Sequence, residues 1–197
     1  MDQETLFTGS KWTILEALAE SRKAPLELAR DAKTSMANVS QQLRLLEMAG
    51  IVSSERIPNR DRGQPRILYG LKNPTAFIIL TAPGSASKGT VSLDAFRHAL
   101  LSTWLLEGPD RITAEKFVVQ NQELFQHVRA FGLDKRDTAK QLFVLILNDD
   151  TPKKASADFR PKDSVSILTE AQAKRPGHEY TTLYDPHRLL IRRREKE

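Results

Sequence analysis

The chain contains no cysteine. That excludes disulfides, thiolate metal sites and redox sensing by thiols, and it suits a reducing, intracellular setting. No apolar run approaches the length of a membrane span, and the opening MDQETLF lacks the basic-then-apolar order of a secretion signal. The expectation is a soluble cytoplasmic protein. Histidine is scarce, at four in 197 residues, and His127, His178 and His187 stand alone in sequence. A metal site needs three or four converging ligands, so no metal, cofactor or catalytic residue is expected. A strong charge imbalance is also missing, since the formal net charge is +5. Residues 1–72 hold 11 basic and 9 acidic side chains, residues 73–187 hold 14 of each, and the last ten hold five and two. The excess sits at the two ends, a distribution compatible with nucleic acid but too mild to establish it.

What is present centres on one stretch, SMANVSQQLRLLEMAGIV from Ser35 to Val52. Ser35 is placed to cap a helix, its hydroxyl oxygen accepting an N–H of the first turn. Val39, Leu43 and Leu46 recur at four- and three-residue steps and so fall on one side. Gly50 supplies a left-handed stop, after which Ile51 and Val52 begin an extended run. The remaining face offers Met36, Ala37, Asn38, Ser40, Gln41 and Arg44. Amides and hydroxyls pair with base edges in a major groove, and no carboxylate here repels phosphate. An amphipathic helix with a solvated polar face would read the same way, so the neighbouring segments decide.

Upstream, Lys11–Glu20 has the apolar spacing of a helix, with Ser10 as its expected cap and Trp12, Ile14, Leu15, Leu18 and Ala19 on a wide apolar side. Pro25 opens a short second helix, PLELARDA, at a position that favours proline. A short helix, a brief turn and a polar-faced helix make a helix-turn-helix. Downstream, IVSSERI and RILYGLK alternate like strands around a punctuated loop, PNRDRGQP. The hairpin brings Arg56, Arg60, Arg62 and Arg66 to its loop and shoulders, where guanidinium groups can grip phosphates or enter a narrow minor groove.

VSQQLRLLEMAGIV followed by RGQPRILYGL resembles the winged-helix transcriptional regulators of the ArsR type, with MarR-like groups close behind, over roughly residues 9–82. The resemblance implies a recognition helix over 35–49 lying in the major groove, and a wing over 56–66 on backbone or minor groove. By position it assigns the recognition face to Ser35, Met36, Ala37, Asn38, Ser40, Gln41 and Arg44, and the wing to Arg56, Arg60, Arg62 and Arg66. Many members have a histidine where this chain has Gln42. It also implies a homodimer on double-stranded DNA.

Asn73-Pro74 reads as the start of a further helix over TAFIILTA, stopped by Pro83-Gly84. Its run Phe77, Ile78, Ile79 and Leu80 exceeds one buried stripe and calls for cover on two sides. That cover is either the chain's own second half or a second subunit. Residues 84–91, containing GSASKG, read as a linker between a domain over 1–83 and a region over 92–197. The same stretch loosely resembles the Gly-Ser loop of nucleotidyltransferases, with Gly84-Ser85 and Asp94. The paired aspartate of that loop is absent, and the residues after Asp94 look helical. SLDAFRHALLSTWLLE (92–107) forms a helix whose Phe96, Leu100 and Trp104 join Trp12 and Phe77–Leu80 as candidate dimerisation residues. Asp94 and His98 lie four apart on it, a pair that ArsR-like metal sensors can use, but without further ligands.

Gly108-Pro109 breaks that helix, and ITAEKFVVQNQELFQHVRAFG continues helically, with Asn121 splitting it and Gly132 ending it. LFVLILND (142–149) reads as a strand buried on both faces, ending at Asp149 and Asp150. SVSILT, EYTTLY and RLLIRR are further strands, and Arg192–Arg194 form a basic tail. The fold class expected is α+β: an N-terminal winged helix-turn-helix, dimerisation-type helices and a small C-terminal α+β unit with a dimerisation or sensing role. The function expected is a non-enzymatic, sequence-specific, homodimeric transcriptional regulator. The alternatives are a winged-helix module that binds protein, and the nucleotidyltransferase-like enzyme.

Overall fold

The computed structural model describes residues 9–58, 66–134, 142–149, 151, 165–175 and 179–190. They belong to two compact units, Met1–Ser92 and Leu93–Glu197. The α+β class holds, since helices and strands occur in both.

The first unit opens with three helices, α1 (Ser10–Glu20), α2 (Pro25–Asp31) and α3 (Met36–Met48). Gly9, at φ 91°, is the N-cap of α1, one residue earlier than expected. Ser10 is freed for another task, accepting the Asn38 amide Nδ2 at 2.8 Å. Pro25 begins α2 as its fixed φ favours, and Glu27 turns back to accept the Ala24 N–H at 2.7 Å. Ser35 caps α3, its Oγ accepting the Asn38 N–H at 3.2 Å. Gly50 ends it at φ 72°, a conformation that costs glycine nothing.

Each helix gives one aliphatic stripe to a common core: Ile14, Ala17 and Leu18; Leu28 and Ala29; Val39, Leu43 and Leu46. Val52 closes it from β1 (Val52–Ile57), which pairs antiparallel with β2 (Arg66–Leu71). Lys23, in the α1–α2 connection, pairs with Tyr69 through reciprocal backbone bonds of 3.0 and 2.9 Å and so extends this sheet.

Residues 75–92 depart from expectation. TAFIILTA is no helix but strand β3 (Thr75–Ala82), and the supposed linker is mostly β4 (Ser85–Ser92). The two pair antiparallel from Thr75↔Ser92 to Ala82↔Ser85 with no register shift, a two-stranded sheet of their own. The physical reason lies in both halves. Thr75, Phe77, Ile78, Ile79 and Thr81 are β-branched or aromatic residues that favour extended backbone. Pro83-Gly84 makes a two-residue turn in the type II pattern, proline at the first central position and Gly84, at φ 82°, supplying the left-handed second.

Among its described residues the second unit packs two longer helices, a 3₁₀ turn and a short helix at Glu170–Ala173 around a four-stranded sheet. Helix α4 spans Ala95–Thr103, shorter than the expected 92–107, and Asp94 caps it by accepting the Arg97 N–H at 2.7 Å. Trp104 and Leu105 lie beyond its end and are exposed. Helix α5 (Gly108–Gln120) starts with Pro109 in its first turn and is followed by a 3₁₀ segment, Gln122–His127. The helix expected to run to Gly132 therefore stops early. Val128–Asp134 is strand β5, followed by β6 (Leu142–Leu147), β7 (Val165–Ile167) and β8 (Tyr180–Tyr184). The sheet order is β7-β6-β5-β8, with β6–β7 parallel and the other pairs antiparallel.

Alternate residues of β5 and β6 feed two cores. Phe131, Leu133, Phe143 and Leu145 pack with Phe125, Val118 and Ala114 on one face. Ala130, Val144 and Ile146 meet Leu189 and Leu190 on the other. The apolar run of β6 is thus buried on both sides, as read from sequence. Gly132 sits mid-strand where a Cβ would lie 2.8 Å from the Thr181 carbonyl oxygen of β8. Leu189 and Leu190, expected in a strand, instead donate their N–H groups to the Asp185 carboxylate at 2.7 and 2.8 Å.

Candidate nucleic-acid interface

With Val39, Leu43 and Leu46 turned into the core, α3 exposes Met36, Ala37, Ser40, Gln41 and Arg44. Leu45 and Met48 are exposed beside them, an apolar contribution that the polar reading of this face passed over. The helix has a single carboxylate, Glu47, and it is occupied elsewhere. Its Oε1 accepts Ser54 Oγ at 2.6 Å and the Ser54 N–H at 3.2 Å, so it is drawn to β1. The same carboxylate, after burial, helps hold the Tyr69 phenol above its ordinary value.

Asn38 differs from its neighbours. Its Nδ2 donates to Ser10 Oγ at 2.8 Å and to Thr34 Oγ1 at 2.9 Å, while its Oδ1 accepts Gln42 Nε2 at 3.3 Å. The amide ties α3 to α1 and to the α2–α3 turn. The base contact expected of Asn38 therefore has no free amide hydrogen in this arrangement. A signal was available in sequence, because Thr34, Asn38 and Gln42 recur every four residues beside the apolar stripe.

Ser35 is spent on the cap. Arg56 lies opposite Ile67 and Arg66 opposite Ile57. Directly opposed residues share a face and adjacent ones alternate, so the two exposed arginines project from opposite faces of the hairpin. Arg22 lies over the second face: a Cβ on Gly70 would sit 2.8 Å from its Cγ, and its guanidinium pairs with Glu55. A carboxylate on the hairpin is thereby neutralised. Lys23 is engaged too, its Nζ 2.6 Å from Asp31, and that bond raises its pKa above the ordinary lysine value. Arg60 and Arg62, together with Asp150, His178 and Arg192–Arg194, lie outside the described residues.

The residues assigned to dimerisation do not form one set. Trp12 is 51 % exposed on α1, and Phe77, Ile79 and Leu80 are exposed on β3 with Ile78 half-buried. Phe96 and Leu100 are half-buried against the core of the second unit, and Trp104 is exposed there.

In the second unit Asp94 is a helix cap paired with Arg97 at 3.3 Å. His98 packs edge-on against Tyr184 at 5.3 Å, and burial lowers its pKa below the ordinary histidine value. Tyr184 is pushed the other way by burial and by Asp94 and Asp185. An open cleft of about 400 Å³ lies at this end of the sheet, walled by Asp94, Phe96, Phe125, Arg129, Asn148 and Tyr184. Arg129 is committed to Glu170 at 2.5 Å. Among the described residues, no cluster of three or more His, Asp or Glu side chains is able to hold a metal, and no helix is long and apolar enough to cross a membrane.

The curated proteins contain no match to the chain. Residues 10–54 match the sequence family described as bacterial regulatory protein, arsR family. The match covers α1, α2, α3 and the start of β1. It supports a DNA-binding transcription regulator. Residues 10–54 carry a helix-turn-helix of the ArsR regulator type.

Proposed function

We propose that the protein is a homodimeric, sequence-specific regulator whose α3 enters the major groove of double-stranded DNA. The observation that carries this reading is the exposed side of α3, where Ala37, Ser40, Gln41 and Arg44 stand without a carboxylate because Glu47 is held by Ser54. Gln41 suits an adenine edge, and Arg44 a guanine or a phosphate. Met36 and Ala37 are apolar partners for a thymine methyl. Asn38 acts through the fold, positioning α3 against α1 rather than reading a base. The hairpin, with Arg56 and Arg66 and with Arg60 and Arg62 between them in sequence, grips backbone or the adjacent minor groove as a wing. A two-fold dimer sets two α3 helices about one helical turn apart and favours a pseudo-palindromic site.

Selection of bound sequences from random DNA, followed by titration at several salt concentrations, tests this. Gln41→Ala is expected to relax discrimination at one base position, by about 1–3 kcal/mol for a lost bidentate contact. Arg60→Ala with Arg62→Ala weakens all sequences alike and flattens the salt dependence by about one per lost phosphate contact. Unchanged affinity and selectivity in both variants would falsify the mechanism.

A further inference from the structure

The β3–β4 ribbon is the least protected part of the described chain. Phe77 is 54 % exposed, Ile79 53 %, Leu80 63 % and Val91 37 %, and apolar side chains stand on both faces. Phe77 and Ile79 project from one face, and Ile78, Leu80 and Val91 from the other. A two-stranded ribbon is marginal alone in water. Soluble proteins blunt an open strand edge with charge, proline, a bulge or brevity. The outer edge of β3 uses none of these: it is eight residues long, unbulged and without proline. No charged residue occurs from Thr75 to Ser87, whereas β4 carries Lys88.

We infer that a second copy of this chain covers that edge, its β3 pairing antiparallel with the first to give a four-stranded sheet β4-β3-β3-β4. Charge and register both favour a like partner. An uncharged strand meets its own copy without repulsion, while nucleic acid would need cations that β3 lacks. A two-fold axis normal to the ribbon keeps each side chain on its own face, and directly opposed residues share a face. The axis must therefore pass through a residue, not between two. Centring it on Ile78 sets Phe77 opposite the partner's Ile79, Ala76 opposite the partner's Leu80, and Thr75 opposite the partner's Thr81. Centring it on Ile79 would set Phe77 against threonine, and centring it on Phe77 would set Ile79 against threonine.

Edge pairing buries backbone and the flanks of the opposed β3 side chains but leaves both faces of the ribbon, and Val91 on β4, in the open, so the interface falls below the standard size. The ladder adds backbone hydrogen bonds to that area, and the dimer is accordingly one that dissociates at roughly micromolar concentration. The inference rests on the dimeric part of the proposal above and not on its DNA contacts.

Because the chain has no cysteine, single substitutions report the register cleanly. Opposed antiparallel residues have Cα atoms about 4.5–5.5 Å apart, within reach of a disulfide. The full chain carrying Ile78→Cys, oxidised without DNA, is expected to run mainly as a covalent dimer. Thr81→Cys alone should crosslink little, yet join readily to a Thr75→Cys copy when the two are mixed. Leu80→Lys should move the uncrosslinked protein to monomer in sedimentation, with its circular dichroism unchanged. A wild-type chain that stays monomeric to roughly 100 μM, well above the expected dissociation constant, overturns the inference. So does a Thr81→Cys chain that crosslinks as readily as Ile78→Cys. Sequence-selective DNA binding, measured in parallel, separates the two ideas: if it persists while crosslinking fails, the ribbon interface alone is refuted.

Discussion

The two units solve the same packing problem with different materials. In the first, nine aliphatic side chains close the core, α1 and α3 contributing neighbours three or four residues apart and α2 the adjacent Leu28 and Ala29. In the second, rings do much of the work. Phe117 stacks on Phe131 at 5.6 Å and on Phe143 at 4.6 Å, and Phe125 meets Phe131 edge-on at 5.3 Å. Those partners come from α5, the 3₁₀ segment, β5 and β6. The first core is thus assembled from local repeats and the second from distant elements. Local repeats place a helix face with little help from the rest of the chain, which suits a surface that must meet a regular partner. A core of distant rings holds its shape only when the whole sheet is formed.

The largest test of this contrast is Phe131→Ala. It removes a fully buried ring that contacts three others, and a loss of about 3–5 kcal/mol is expected in denaturant unfolding. Sequence-selective DNA binding should survive below the unfolding transition if the first unit holds its own core. A gentler comparison uses glycine. Gly132→Ala drives a Cβ to 2.8 Å from a backbone oxygen of β8, whereas at Gly70 the obstacle is the flexible side chain of Arg22. The first should cost about 1–3 kcal/mol, as overpacking does, and the second clearly less. Equal losses would remove the distinction between a rigid and a yielding neighbour.

Ser35→Ala removes the α3 cap and should cost about 1 kcal/mol in thermal or chemical unfolding. Ser35→Asp, which keeps an acceptor, should recover most of it. The smallest effect concerns pH. Burial lowers the pKa of His98 in the folded chain from 6.5, so between that lowered value and 6.5 the unfolded chain binds more protons. Stability contributed by neutral His98 is complete above about pH 6.5 and is lost progressively as pH falls through the interval. Melting curves from pH 7.5 to 5 should show a drop that His98→Gln reduces; an identical slope in the two proteins would remove His98 as its source.

The contrast also explains what was legible beforehand. The helix-turn-helix could be read because Ser35, the Val39–Leu43–Leu46 stripe and Gly50 are local signals that tertiary packing merely completes. The helix expected through Gly132 failed on a coincidence of spacing. Phe125, Val128 and Phe131 recur every three residues, yet after His127 the backbone is extended and Phe131 is buried by strand alternation. TAFIILTA failed because a run of four apolar residues fits a helix or a strand, and its partner, SASKGTVS, carries little pattern of its own. At the interface, residue types indicated which face was polar but not which polar groups were already engaged. Asn38 and Glu47 have the chemistry to contact DNA; the four-residue spacing of Thr34, Asn38 and Gln42 pointed to the role of the first, and the partners Ser10, Thr34 and Ser54 reveal that both serve the fold.

The backbone pairing of Lys23 with Tyr69 has a mechanical consequence. It pins the elbow between α1 and α2 to the strand that returns from the hairpin loop, so the hairpin cannot pivot about Val52 as a free lever. Any tilt of the arginine-bearing arm must carry the elbow with it or break two backbone hydrogen bonds. In hydrogen exchange those two amides should open together, and slowly, as a single latch.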